Sequence, residues 1–279
     1  MNPIVLAIIL LGGMGLLLGV LLAVAAHIFR VKTDPRIEEI TSCLSGANCG
    51  GCGYAGCSSY AQAIVEKGEK TNLCRAGGEA AAEKIAGIMG VKAEKVQRMR
   101  AQVMCSGTSD CAKNKYVYEG AEDCAAAARL GGGNKLCPNG CIGLGSCVKA
   151  CKFGAISVRD GIATVDYRKC VGCGTCTFAC PKHIIRMIPY DSRHWVGCLS
   201  VDNGKTTASY CKVGCISCRL CEKNCAAGAI TVNDFVARID YDKCTECGVC
   251  VDKCPRHIIW SDKDHRMKIG EPEAAEVKA

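Results

Sequence analysis

The sequence predicts an α+β chain: one N-terminal transmembrane helix, a small helical domain organised by cysteines, and two tandem cysteine-rich units of short helices and strands. Three observations predict it. From Pro3 to Phe29 the chain carries no Asp, Glu, Lys or Arg. A cysteine-glycine run, NCGGCGYAGC, stands at 48–57. From Cys124 onward the cysteines repeat at a spacing of 74 residues.

The apolar run is rich in Leu, Ile, Val, Ala and Gly, and it exceeds the roughly 20 residues that a membrane-spanning helix needs. A cleaved signal peptide would place a basic segment before a shorter apolar core of about 7–15 residues. Neither feature is present, although Ala23-Val24-Ala25 has the look of a cleavage site. Arg30, Lys32 and Arg36 follow the run, and only the α-amino group precedes it. By the positive-inside rule the chain is a single-pass protein of the cell (inner) membrane, embedded in the lipid bilayer with its bulk on the cytoplasmic side. That compartment keeps thiols reduced. Gly15 and Gly19 form a G-x-x-x-G pair that could seat a partner helix, although glycine is common in such helices.

Cysteine decides the chemistry. It accounts for 26 of 279 residues, a density that means either a disulfide scaffold or metal sites. Spacing arbitrates. Runs of the form C-x2-C-x2-C-x3-C set sulfurs too close for efficient mutual pairing, yet let them wrap one compact inorganic core. The formal charge of +8 would suggest nucleic acid or an acidic partner. Twenty thiolates holding five 4Fe-4S clusters would add twenty negative charges, and five oxidised 2+ cores would return ten positive ones, which brings the +8 close to zero. No nucleic-acid partner follows from charge.

After the apolar run, Asp34 and Pro35 read as the N-cap and first turn of a short helix. Cys49, Cys52, Cys57 and Cys74 come next, spaced C-x2-C-x4-C-x16-C, with Gly50, Gly51, Gly53 and Gly56 between them. Glycines there let the backbone close tightly around a metal core. Zinc shares the C-x2-C spacing and stays open as a reading, which would make the chain a zinc-binding interaction protein. Ser58 to Lys67 carries Ala and Ile at helical spacing.

Adding 74 to Cys124, Cys137, Cys141, Cys147, Cys151, Cys170, Cys173, Cys176 and Cys180 lands on Cys198, Cys211, Cys215, Cys221, Cys225, Cys244, Cys247, Cys250 and Cys254. Every landing is on a cysteine. Between them GAISVRDGIATVDYRKC matches GAITVNDFVARIDYDKC, an alternation that predicts a β-hairpin in each unit.

The run ANCGGCGYAGC, with Cys74-Arg75-Ala76-Gly77-Gly78 downstream, resembles the amino-terminal iron-sulfur domain of the B-type iron-sulfur subunit family of the Rnf complex, an ion-translocating ferredoxin:NAD+ oxidoreductase. That family also begins with one membrane helix and continues into ferredoxin-like domains, so the resemblance covers nearly the whole chain. It implies a 4Fe-4S cluster on Cys49, Cys52, Cys57 and Cys74. It further implies reduced ferredoxin as electron donor, other membrane subunits as acceptors, and coupling to translocation of Na+ or H+. A polyferredoxin subunit of another membrane enzyme, such as a hydrogenase, is the rival, and the C-x2-C-x4-C-x16-C domain speaks against it.

Each repeated unit resembles a bacterial two-cluster ferredoxin, in which the fourth Cys of a run ligates the other cluster. The resemblance implies one cluster on Cys215, Cys218, Cys221 and Cys254, and its neighbour on Cys225, Cys244, Cys247 and Cys250. In the first unit it implies one on Cys151, Cys170, Cys173 and Cys176. The remaining site is irregular, because Leu144 stands where Cys218 stands in the second unit. Cys137 is the nearest thiol and is expected to join Cys141, Cys147 and Cys180, although its equivalent Cys211 persists where no substitute is needed. At least five clusters result. Cys43, Cys105, Cys111, Cys124, Cys198 and Cys211 remain, either as core thiols or, for the last five, as the source of a sixth cluster without residue-level assignment. Lys152 and Ala226 stand where the ferredoxin motif often has Pro, which binds nothing.

No G-x-G-x-x-G follows a strand and opens a helix, so hydride chemistry is expected elsewhere. Gly131-Gly132-Gly133 reads as a turn. His183 and His257 occupy equivalent positions beside ligands and read as structural. Lys113, Lys115, Arg129 and Lys135 are weighed as a basic docking patch against a solvated face. The expected boundaries are 1–30 for the anchor, 31–90 for the first cluster domain, 91–123 for a linker with extra cysteines, 124–190 for the first ferredoxin-like unit, and 191–279 for the second with its polar tail.

Overall fold

The computed structural model describes residues 3–28 and 34–261. Arg30, Lys32 and the expected polar tail after Ser261 lie outside the described residues. Helix α1 spans Pro3–Ile28, 26 residues without Asp, Glu, Lys or Arg. Its side chains are described continuously only from Leu10 to Ala25, and among the described residues no helix is long and apolar enough to cross a membrane. The expected transmembrane helix is thus not shown as such; what stands is an uncharged helix with Leu16 and Leu22 exposed.

Three helices follow: α2 (Pro35–Cys43), α3 (Cys57–Lys67) and α4 (Gly78–Met89). Asp34 caps α2 by accepting from the Arg36 N–H, with Pro35 in the first turn, as the sequence predicts. Helices α3 and α4 each end on a left-handed glycine, Gly68 and Gly90. Ile40, Tyr60, Ile64 and Ile85 form the core between them. Cys43 packs against this core, beside Cys52 and Cys57.

The remainder alternates short elements in the order β1 (Met99–Val103), α5 (Cys124–Arg129), α6 (Ser146–Ala150), β2 (Ile156–Arg159), β3 (Ile162–Val165), α7 (Thr175–Ala179) and β4 (Ile185–Pro189). It continues with β5 (His194–Val196), α8 (Gly204–Tyr210), α9 (Leu220–Lys223), β6 (Ile230–Asn233), β7 (Val236–Ile239), α10 (Val249–Asp252) and β8 (Ile259–Ser261). Each described sheet is a two-stranded antiparallel ribbon: β1 with β4, β2 with β3, β5 with β8, and β6 with β7. The hairpins β2-β3 and β6-β7 fall where the repeat predicts them. Their turns, Asp160-Gly161 and Asp234-Phe235, hold both central residues at positive φ, the geometry that suits a two-residue hairpin.

Within 91–123 the chain forms β1, which pairs from Met99 opposite Pro189 to Val103 opposite Ile185. Strand β5 does the same for the second unit, from His194 opposite Ser261 to Val196 opposite Ile259. Each unit therefore takes one strand from the chain ahead of its cysteine run. Arg100 of β1 is the largest fully buried side chain among the described residues and is only 1% exposed. It donates to the Ser192 carbonyl, and its guanidinium carbon lies 5.4 Å from the Tyr167 ring centroid and 5.3 Å from that of Trp195. Arg100 thus ties the two units together. Arg100→Ala is expected to cost about 2–5 kcal/mol through lost packing and an open cavity, read as a lower urea midpoint of the iron-loaded chain.

Candidate metal centres

All 26 cysteines are free thiols, and most gather around apolar pockets. Among the described residues no group of three or more His, Cys, Asp or Glu side chains converges to hold a single ion. A four-iron core instead spreads its four sulfurs around a cube.

Cys49, Cys52, Cys57 and Cys74 line one pocket. Local chemistry places them. The Cys57 N–H, at the start of α3, donates to Asn48 Oδ1 at 2.7 Å. One turn on, the Tyr60 hydroxyl donates to the Lys70 carbonyl at 2.6 Å and accepts from the Leu73 N–H at 3.0 Å, bracing the loop that carries Cys74. Burial pushes the Tyr60 phenol up to about 12, so it stays a donor. Tyr60→Phe removes this brace and is expected to cost about 1–3 kcal/mol, since it leaves backbone groups unsatisfied; faster iron loss to a chelator checks it.

In the second unit, Cys215, Cys218, Cys221 and Cys254 line one pocket. Burial pushes Cys221 up to about 12, with Cys215, Cys254 and Cys218 adding like charge. Burial likewise pushes Cys250 up to about 11, with Cys244, Cys247 and Cys225 around it. In the first unit, Cys176 is pushed up to about 12 by burial, then by Cys170 and Cys173, with Cys147 and Cys151 weaker. These surroundings keep empty thiols protonated, so a cluster must supply the positive charge that turns them into ligands.

The irregular site differs from its expectation. Cys141, Cys147 and Cys180 line a pocket together with Cys124, and Cys147 feels Cys124 and Cys180 after burial itself. Cys137, raised first by burial, lies instead in the field of Cys105 and Cys211. The physical reason is a lock at the start of α5. Asp123 caps that helix, the Cys124 N–H donates to Ser146 Oγ at 2.7 Å, and Ser146 Oγ donates to Asp123 Oδ2 at 3.0 Å. Cys124 is thereby held over α6, which carries Cys147.

Backbone N–H groups aim at the sulfurs. Ala155 donates to Cys151 Sγ at 3.4 Å and its repeat equivalent Ala229 to Cys225 Sγ at 3.3 Å. Ala101 donates to Cys170 and Ala163 to Cys141, both at 3.4 Å. Such bonds favour thiolates and raise the reduction potential of what they hold. Gly145, Gly174 and Gly248, two residues before the buried Cys147, Cys176 and Cys250, take φ of 77°, 82° and 78°, which turns the chain around the core. His183 and His257 are exposed, and their N–H groups donate to the Cys180 and Cys254 carbonyls at 3.0 and 3.1 Å. They shape the turn after the last cysteine. Lys113, Lys115 and Arg129 are exposed, but Lys135 is 5% exposed and drops out of any docking patch.

The first pocket abuts the first unit. Cys173 also lines it. Thr175 Oγ1 donates to the Cys49 carbonyl at 3.0 Å, and Lys152 Nζ donates to the Ala47 and Asn48 carbonyls at 3.1 and 2.7 Å. A Cβ on Gly51 would stand 2.2 Å from the Cys173 carbonyl oxygen.

Residues 44–76 match the family model of an Fe-S cluster, and 139–184 and 214–259 each match a 4Fe-4S dicluster domain. Several 4Fe-4S clusters are the cofactors these domains carry. The chain is 42% identical over 254 residues to the B-type subunit of the ion-translocating oxidoreductase complex of Methanosarcina acetivorans, covering 91% of this chain and 96% of that one. It is 42% identical to the B-type subunit of the Na(+)-translocating ferredoxin:NAD(+) oxidoreductase complex of Acetobacterium woodii, covering 95% and 80%. With the proton-translocating counterpart from Clostridium ljungdahlii it shares 38% identity, over 93% of both chains. With this likeness running over nine-tenths of the chain and the cysteine runs lying inside the matched domains, the protein belongs to the B-type iron-sulfur subunit family of the ion-translocating (Rnf) oxidoreductase complexes.

Proposed function

We propose that this chain accepts electrons from reduced ferredoxin and passes them singly, through 4Fe-4S clusters, to other membrane subunits of an ion-translocating ferredoxin:NAD+ oxidoreductase. The observation that carries the reading is the adjacency of thiol groups: Cys173 belongs to one group and lines the pocket of the next. Four cysteine thiolates on each cluster leave no open position for substrate, so the bound clusters supply one-electron storage and nothing else. The chain's own part is to hold the thiolates, to exclude water with apolar walls, and to aim N–H groups at sulfur. Three of the ligand sets proposed are those that pockets gather, Cys49, Cys52, Cys57 and Cys74, then Cys215, Cys218, Cys221 and Cys254, then Cys141, Cys147 and Cys180 with Cys124 in place of Cys137; the other two, Cys151, Cys170, Cys173 and Cys176, and Cys225, Cys244, Cys247 and Cys250, follow from the mutual influence of their thiols.

Mixing the anaerobically purified full chain with reduced ferredoxin tests this. A brown protein whose visible absorption bleaches on mixing is the expected result. A colourless protein with stoichiometric zinc overturns it.

Helix α1 is proposed as a membrane anchor with the bulk of the chain on the cytoplasmic side. At about 1.5 Å per residue it reaches beyond the roughly 30 Å hydrocarbon core. Gly15 and Gly19 have open space where a Cβ would stand, which suits close approach of a second helix. The full chain is expected to stay with membranes through an alkaline wash, and release by that wash contradicts the anchor.

A further inference from the structure

We infer that Cys105, Cys137, Cys198 and Cys211 form a further 4Fe-4S site, shared by the two ferredoxin-like units. The inference rests on the reading that the other thiol groups hold such clusters, and it adds a centre that no repeat motif supplies.

All four cysteines line one pocket where the units meet. Two come from each side, and they are equivalent in pairs. Cys105 stands two residues after β1, and Cys198 two residues after β5. The Cys141 N–H donates to Cys105 Sγ at 3.4 Å, and the Cys215 N–H, its repeat equivalent, donates to Cys198 Sγ at 3.4 Å. Cys137 and Cys211 are themselves related by the 74-residue repeat. Each unit thus offers two equivalent thiols to a common centre. This accounts for Cys211, which has no role inside its own unit.

Charge supplies a second, independent observation. Lys135 lines the same pocket and is 5% exposed. Its ammonium donates to the Gly107 and Gly161 carbonyls at 2.6 and 3.0 Å, and among the described residues no carboxylate pairs with it. A buried ammonium without a counter-charge is costly. Four thiolates around an oxidised 2+ core carry two net negative charges, which Lys135 would face. Arg256, donating to the Cys211 carbonyl at 2.7 Å, adds a second cation beside one of the four thiols.

The position gives the site a purpose. After burial, Cys105 is the strongest influence raising Cys141, and Cys215 is the strongest like charge raising Cys198. The shared centre therefore touches the last thiol group of the first unit and the first of the second. It thereby stands between the groups of the first unit and those of the second. One-electron transfer falls exponentially with distance, so a centre placed between the two pairs of clusters shortens each step from one unit to the other. Cys111 neighbours Cys211 but does not line the pocket, and with Cys43 it is left as a core thiol.

The test is iron and acid-labile sulfide analysis of the anaerobically purified full chain, beside Cys198→Ala and Cys111→Ala. Six clusters of four irons predict about 24 per chain, against about 20 for five. The expected result is the higher count for the wild type, about four irons fewer for Cys198→Ala with loss of one component of the reduced electron paramagnetic resonance spectrum, and no change for Cys111→Ala. A wild-type count near 20, or iron lost from Cys111→Ala and not from Cys198→Ala, overturns the assignment while leaving the electron-carrier reading intact. Negligible iron in the wild type overturns that reading itself. Should Cys198→Ala fail to fold, the wild-type count decides alone.

Discussion

Complete removal of iron from the anaerobically purified chain is expected to abolish most of its ordered structure, leaving only helical signal from α1 to α4. The ferredoxin-like units have little else to hold them. Their strands are three to five residues long and paired only two by two, and such ribbons are marginal in water. The core of the first unit counts Cys141, Cys147, Cys170 and Cys176 among its buried residues, and that of the second counts Cys215, Cys221, Cys250 and Cys254. Emptying the clusters leaves voids in the middle of the packing, not at its edge. In small metal domains the binding free energy is the folding free energy, on the order of 10 kcal/mol or more. Acid should act in the same direction as a chelator. Burial raises Cys221 to about 12 and Cys250 to about 11, so protons compete strongly for these sulfurs and iron is lost as pH falls. Circular dichroism before and after chelation decides the matter, and a native-like spectrum from an iron-free chain would sink the prediction.

What the sequence made legible was whatever is local or strictly periodic. Asp34-Pro35 names its own helix start, the alternation in GAISVRDGIATV names a hairpin, and a 74-residue translation maps one unit onto the other. The pocket of Cys141, Cys147 and Cys180 was not legible, because the other thiol that lines it, Cys124, comes from α5, brought over by a cap and a serine hydroxyl that no spacing rule encodes. Cys137 was expected there as the nearest thiol along the chain, whereas it lines the pocket of Cys105, Cys198 and Cys211. The equivalence of Cys105 and Cys198 was hidden for a related reason. They stand 36 and 17 residues before the cysteines whose N–H groups they accept, so no fixed period relates them. It emerges only once β1 and β5 are seen to play one role. Lys135 showed the same limit, since a surface lysine and a buried one look alike in sequence.

The junction between the first pocket and the first unit should be the place where one added methyl group does most harm to electron flow. In Gly51→Ala the new carbon would stand 2.2 Å from the Cys173 carbonyl oxygen and 3.0 Å from its carbon. Both are backbone atoms beside a pocket cysteine and cannot turn aside as a side chain would. Relief must come by sliding the helical domain off the unit, at a cost of about 1–3 kcal/mol for an overpacked contact, which is roughly a tenfold or greater loss in the docked population. Lys152→Ala, which removes the bonds to the Ala47 and Asn48 carbonyls, should act in the same direction and more weakly, because that side chain is exposed. The iron content of both variants is expected to match the wild type, since neither side chain is a ligand, while the rate of electron exchange between the first cluster and the rest falls in stopped-flow reduction. Unchanged rates in Gly51→Ala would mean that electrons do not cross at this contact, and a loss of about four irons would mean that the methyl group had broken the pocket instead of the junction.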